Sequence, residues 1–328
     1  MNQGKDLIRV SLGTAATLGL TRCKLAAKPT TAYLMMYNED GCTANCAFCT
    51  QAREADSEID RLSRIVWPPY PLGEVLEALR RSHGFQRACL QALNYPGFFE
   101  DLTYTLTRLR DETSIPISLS CQPLGGDRMR ELESLGLDTV AIPLDAATPK
   151  LFDEVKGTSA GGPYTWGGHV EALKKALGVL GPRRVYTHII IGLGETEREA
   201  LGTIQGLVDL GIIPGLFAFT PLPGTRLEGR RPPSIDAYRR VQLARFLILE
   251  GSSRFEEMVF DERGRLMGFG ADEGGVREAL SSGLPFITSG CPGCNRPYYN
   301  ESPGGPLYNF PYPPSREKLE EIERVLLP

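Results

Sequence analysis

Residues 31–53 read TAYLMMYNEDGCTANCAFCTQAR: a short apolar run, a turn, then three cysteines in close succession. The run 31–37 (TAYLMMY) has the length of a buried strand rather than of a helix. Cys42, Cys46 and Cys49 follow it directly in a Cys-x3-Cys-x2-Cys spacing. A strand that hands its loop straight to three soft ligands sets the frame for the rest of the chain.

Working outward, further apolar runs of strand length recur at 87–93, 115–121, 139–145, 185–191 and 213–220. Helical patterns lie between them at 71–82, 98–110, 126–135, 166–179, 195–210 and 234–250, and Gly or Pro marks nearly every junction. Repeated strand–helix order predicts an α/β fold with a parallel sheet and right-handed crossovers. Six such units point to a partial or complete parallel (β/α) barrel over 30–250, with an N-terminal extension (1–29) and a C-terminal extension (251–328). In such a barrel the chemistry sits on loops at the C-terminal ends of the strands. The three cysteines, Asn94–Gly97, Cys121, Asp145 and Gly192–Glu195 all fall there. Beyond residue 250 the alternation stops: 255–269 reads as a hairpin or one strand, 272–281 as a short helix, and 283–314 as a Gly/Pro/Tyr-rich tail packed on the barrel.

The 328 residues suffice for a large core, and a net charge of −4 gives no general attraction to phosphate backbones, so neither nucleic acid nor a membrane is an expected partner. The N-terminus makes a poor signal peptide, because Arg22 and Lys24 closely follow a weakly apolar stretch; a cytoplasmic location is expected. Eight cysteines are too few for a disulfide scaffold in a chain of this length. Five cluster as Cys42/Cys46/Cys49 and Cys291/Cys294; Cys23, Cys89 and Cys121 stand alone.

Three thiolates from one loop leave one iron of a [4Fe–4S] cube open to an external ligand, since such clusters ordinarily take four. The amine and carboxylate of S-adenosylmethionine (SAM) suit that position. A zinc site is the alternative, but structural zinc takes four ligands in two pairs, and the second cysteine pair is about 240 residues away.

The segment 41–53 (GCTANCAFCTQAR), with Phe48 before the last cysteine, resembles the cluster loop of radical SAM enzymes. The resemblance continues through 188–195 (HIIIGLGE) and 217–225 (FAFTPLPGT). Within the superfamily it is nearest the biotin synthase-like branch, and there the two-component lipoyl synthases, on 30–36, 50–53, 62–67, 166–178 and the tail 289–301 (SGCPGCNRPYYNE). It implies a SAM-binding [4Fe–4S] cluster on Cys42, Cys46 and Cys49. It also implies SAM contacts at Phe48, Asn94, Asp145, His169 and Ile190, and no catalytic side chain beyond the cofactor ligands. Pro143 stands where relatives carry a second ribose contact, and the stretch at Asn94 lacks the usual glycines. His169 reads equally as an exposed helix histidine.

The same resemblance implies a second, auxiliary [4Fe–4S] cluster that surrenders its sulfur to a carbon radical. Cys291 and Cys294 are its expected ligands, with Cys23 as the third. Cys89 and Cys121 resemble positions that hold the biotin synthase [2Fe–2S] cluster, but Tyr186 replaces the strand-five cysteine, and Cys89 reads as a small buried side chain. The implied activity is sulfur insertion at C6 or C8 of an octanoylated lipoyl domain or H-protein, with a sibling radical SAM protein and a ferredoxin or flavodoxin reductant. Another biotin synthase-like enzyme (a biotin synthase, a cofactor maturase or a mutase) is the alternative, and a zinc-bound scaffold is a third. His188 shares a strand face with Ile190 as a substrate neighbour or a core histidine. The run Arg226, Arg230, Arg231, Arg239 and Arg240 reads as a solvated surface able to meet an acidic carrier. Arg296, Tyr298 and Tyr299 are expected to pack the tail over the barrel mouth.

Overall fold

The computed structural model describes residues 3–327. Eight strands form its main sheet: β1 (Leu7–Val10), β2 (Thr31–Met36), β3 (Pro69–Pro71), β4 (Arg87–Gln91), β5 (Ile117–Ser120), β6 (Thr139–Ala141), β7 (Val185–Ile191) and β8 (Ile213–Ala218). Their order is β8-β7-β6-β5-β4-β2-β1-β3, and every pair from β2 to β8 is parallel. The edge strands β8 and β3 do not pair with each other, so this is a partial barrel of six parallel strands, extended by β1 and β3.

Ten helices pack around it: α1 (Leu12–Leu18), α2 (Leu72–Arg81), α3 (Phe98–Glu112), α4 (Gly126–Ser134), α5 (Pro149–Val155), α6 (Trp166–Leu180), α7 (Glu197–Asp209), α8 (Ile235–Leu249), α9 (Glu273–Ser282) and α10 (Arg316–Leu326). Strand alternation sorts the side chains. Leu34, Leu90, Leu119, Val140, Ile189 and Leu216 point outward into the core shared with the helices and are essentially inaccessible. Each contributes about 1.5–3 kcal/mol by burial. The intervening residues (Tyr33 and Met35, Cys89 and Gln91, His188 and Ile190, Gly215 and Phe217) line one interior cavity. That a single cavity meets the same face of every parallel strand shows that the sheet curves around it.

Three expectations change. The strand expected over 139–145 ends at Ala141, because Pro143 has no N–H to pair. The Thr187 hydroxyl fills the gap, donating to Ile142 O (2.7 Å) and accepting from Leu144 N (3.0 Å), and pairing resumes with Asp145 opposite Ile189. The N-terminal segment is not merely appended, since β1 hydrogen-bonds antiparallel to β2. Only part of the tail packs at the mouth: Tyr299 O accepts from the Ser63 hydroxyl, and Asn300 O from the Thr220 hydroxyl (3.1 Å) just beyond the C-terminal end of β8. Gly293 O accepts from the Thr30 and Thr31 hydroxyls, and Pro292 O from Arg87 Nε, so the Cys291–Cys294 loop seats against the first residues of β2 and β4. That is the opposite end of the barrel from Cys42.

Candidate active site

At the C-terminal end of the strands, the cysteine loop is held by its own backbone and by three other segments. Thr43 N donates to Asn94 O (2.7 Å), Ala47 N to Val155 O (2.7 Å), and Arg226 Nη2 to Asn45 O (3.0 Å). Two thiols receive backbone amides: Asn94 N points at Cys42 Sγ and Gln51 N at Cys49 Sγ, both at 3.4 Å. Burial pushes the Cys46 thiol up to about 12 and raises that of Cys49 as well. Such thiols ionise only when a cation replaces the proton, and amide donors to sulfur favour the ionised, metal-bound form. Cys42, Cys46, Cys49 and Phe48 all line the cavity. Among the described residues no three His, Cys, Asp or Glu converge tightly enough to hold a single metal ion. Three cysteine thiols on one cavity, two of them facing backbone amides, are the donor chemistry that an iron–sulfur cluster takes.

Beside the trio, Asp145 takes a left-handed backbone (φ 67°) that turns its carboxylate into the cavity. Lys156, with 0% exposure, donates to Asp145 Oδ2 (2.7 Å) and to Pro143 O. Ile190 lies on the same wall, its N–H donating to Asp145 O (2.7 Å). Lys156 was not read from the sequence. Its signal was a lysine directly after the apolar positions Leu151, Phe152 and Val155, at the end of the unread helix α5.

Two expected SAM contacts sit elsewhere. His169 is buried behind the cavity wall, between Phe152 and Tyr164, with Nδ1 near Thr165 O (3.2 Å) and Nε2 near Gln122 Oε1 (3.1 Å). Burial lowers its pKa to about 3, so it is neutral and offers no charge to a carboxylate. Asn94 supports the loop instead: its backbone serves Thr43 and Cys42, and its amide meets the Tyr164 hydroxyl.

At the far end of the cavity the structure gathers Cys89, Cys291 and Cys294. Cys89 is unprotonated only at a cost, because burial and then the neighbouring Cys291 and Cys294 raise its pKa. Gln91 Nε2 reaches Cys89 Sγ at 3.0 Å, the Tyr33 hydroxyl lies 3.5 Å from Cys294 Sγ, and Thr139 Oγ1 donates to Cys291 Sγ at 3.5 Å. Cys23, the expected third member, is exposed on the surface with its Sγ 3.7 Å from Lys24 O, and it does not reach the cavity. Cys89 takes its place; its position on the inner face of β4 was the available signal. Cys121 lines the cavity wall, and burial pushes its thiol up to about 12.

The arginine run divides. Arg239 is buried against Tyr308 O and Gln242, and Arg240 forms a buried pair with Glu197 (2.5 Å), so both are structural rather than a docking surface. Arg230 and Arg231 remain exposed.

The family model described as the radical SAM superfamily matches residues 40–207, just over half of the chain. The biotin synthase of Citrifermentans bemidjiense is 31% identical over 199 residues, 57% of this chain and 55% of that protein. The biotin synthase of Cenarchaeum symbiosum is 25% identical over 264 residues, 76% of each. The chain thus spans little more than half the length of the Citrifermentans relative. Among solved structures, methylornithine synthase (PylB) superposes with a TM-score of 0.52 at 16% identity, covering 73% of this chain and 67% of that one. The [FeFe]-hydrogenase maturase HydG gives 0.50 at 14%, covering 67% and 50%. These structural likenesses speak to the fold alone. No helix among the described residues is long and apolar enough to cross a membrane. The chain belongs to the radical SAM superfamily, in its biotin synthase-like branch.

Proposed function

We propose that the chain inserts sulfur into the octanoyl chain of an octanoylated lipoyl domain or H-protein, as one component of a lipoyl synthase. One observation carries this: two separate thiol trios face each other across a single, mostly apolar cavity. Bound at the two ends, a SAM-ligated [4Fe–4S] cluster supplies a 5′-deoxyadenosyl radical by reductive cleavage, and a second cluster supplies sulfur.

The chain's own residues do the positioning. Cys42, Cys46 and Cys49 are the ligands above, with Asn94 and Gln51 amides directed at two of the sulfurs. Asp145, fixed by Lys156, offers its free oxygen to the ribose hydroxyls, and Ile190 and Phe48 supply apolar contacts to the adenosyl group. Met35, Leu93 and Phe217 give the cavity apolar wall, which suits an aliphatic chain and helps keep water from a reactive carbon. Cys89, Cys291 and Cys294 hold the sulfur source below, within reach of a chain threaded from the mouth. A ferredoxin or flavodoxin supplies electrons and a sibling radical SAM protein makes the other C–S bond. The free thiols suit a reducing cytoplasm.

The relatives named biotin synthase favour a second reading, in which sulfur enters a biotin precursor. Tyr186, on the cavity wall where a strand-five thiol is needed for that type of cluster, weighs against it. The deciding experiment incubates the reconstituted chain with SAM and dithionite on an octanoyl-lysyl peptide, alone and with the sibling protein, and follows the product mass. Thiolated octanoyl peptide supports the proposal; an untouched peptide, with dethiobiotin converted to biotin in a parallel incubation, rejects it.

A further inference from the structure

Arg296 is the cavity residue that the function above leaves unused. It follows Cys294 by two residues, with an uncommon positive φ of 29° for a non-glycine residue, a strain that persists only where the surroundings enforce it. The side chain is pinned: Nη2 donates to Ser289 O (2.6 Å), and the guanidinium lies flat against the Phe217 ring, 3.6 Å from its centroid. Nε and Nη1 are buried with no partner.

A half-buried cation with two buried, idle donors is costly, because each unmet donor loses its hydration and the charge has no partner. No salt bridge compensates it among the described residues. Glu301, the carboxylate within its electrostatic reach, is committed to the amides of Asn300 and Asn309. The guanidinium also acts electrostatically on the buried Tyr299 and Tyr238 hydroxyls and on the Cys89 thiol, and the Arg296 backbone N–H donates to Tyr33 Oη (2.7 Å), the hydroxyl beside Cys294. An iron–sulfur centre on Cys89, Cys291 and Cys294 carries net negative charge on thiolates and sulfides, and its potential follows local charge and hydrogen bonds to sulfur.

We propose that Arg296 is the counter-cation and hydrogen-bond donor of the metal–sulfur centre held by Cys89, Cys291 and Cys294, and so sets its reduction potential without ligating it. The inference rests on the reading of the lower trio as a cluster site. Met at this position keeps the apolar contact with Phe217 and removes the charge; Lys keeps the charge and removes the fork.

The test uses the full chain carrying Cys42→Ala, Cys46→Ala and Cys49→Ala, reconstituted anaerobically with iron and sulfide so that only the lower site loads. Iron and acid-labile sulfide are counted, folding is followed by circular dichroism, and the midpoint is read by redox titration with EPR detection. Arg296→Met should keep the iron and shift the reduction equilibrium about tenfold toward the oxidised form, ~59 mV for a one-electron couple. Arg296→Lys should recover most of that shift. An unmoved midpoint in Arg296→Met, with iron retained, overturns the proposal. Loss of iron from both folded Arg296 variants also overturns it, by making the arginine a ligand. Failure of the parent triple variant to bind iron rejects the underlying cluster reading before Arg296 is altered.

Discussion

Lys156 Nζ lies 2.7 Å from Asp145 Oδ2, with the lysine fully buried and the aspartate 6% exposed. A buried ion pair is weak evidence of net stabilisation, since desolvation offsets most of the attraction. Its value here is directional, because it holds a carboxylate at a left-handed position with one oxygen left for the cavity. Lys156→Met should cost about 3–5 kcal/mol in urea unfolding by stranding the charge on Asp145. Adding Asp145→Asn should return part of that stability. In equilibrium dialysis, SAM affinity of the double variant should be no lower than that of the weaker single variant; additive losses would mean that Lys156 does not act through Asp145.

The upper trio is tested by iron. Alanine at any one of Cys42, Cys46 or Cys49 should remove about four irons per chain and abolish 5′-deoxyadenosine release, while the lower site still loads. Release that survives the triple replacement would contradict the coordination.

Cys23 and Cys89 make opposite forecasts. Cys23→Ser should leave iron, sulfide and melting temperature unchanged, since the side chain is exposed and alone. Cys89→Ser should lower iron and sulfide to the content of a single cluster. The reverse result would restore the N-terminal cysteine as a ligand.

Gly224 in the loop after β8 has φ 77°, and a Cβ there would lie 1.9 Å from Asp56 O. The same two residues share a backbone hydrogen bond, Asp56 N to Gly224 O (2.9 Å), which ties this loop to the segment after the upper cysteines. Gly224→Ala should therefore lower stability by about 1–3 kcal/mol and weaken SAM binding, both read on the reconstituted protein.

His169 gives a pH signature. Its pKa falls from 6.5 unfolded to about 3 folded, through burial first and the Lys156 charge second. The unfolded chain therefore binds the extra proton, so the contribution is intact above pH 6.5 and is lost as pH falls toward 3. The slope is about 1.4 kcal/mol per pH unit. His169→Gln should flatten the stability–pH curve by that amount between pH 4 and 6; an unchanged slope would show that the imidazole is protonated in the fold.

Much of the architecture was legible because it is local. The patterns over 71–82, 98–110, 166–179 and 234–250 became α2, α3, α6 and α8 nearly residue for residue, since amphipathic period and caps act within a few residues. Helix α10 was equally readable from Ser315 and the spacing of Leu319, Ile322 and Leu326, but lay in a stretch taken as tail. Strand β1 was not, because its four residues gain their partners only from β2 and β3, more than twenty and about sixty positions away.

By itself the sequence determined the alternation of strands and helices and the presence of a three-thiol loop after the first long strand, because spacing along the chain dictates both. Only the tertiary structure decided which distant groups meet. It took Cys23 out and brought Cys89 to Cys291 and Cys294, buried His169 as a neutral side chain, and gave Asp145 its lysine. It also seated the Cys291–Cys294 loop of the tail at the floor of the barrel. Those outcomes depend on which side chains the curved sheet turns inward and which segment fills its open end, and no local pattern encodes that choice.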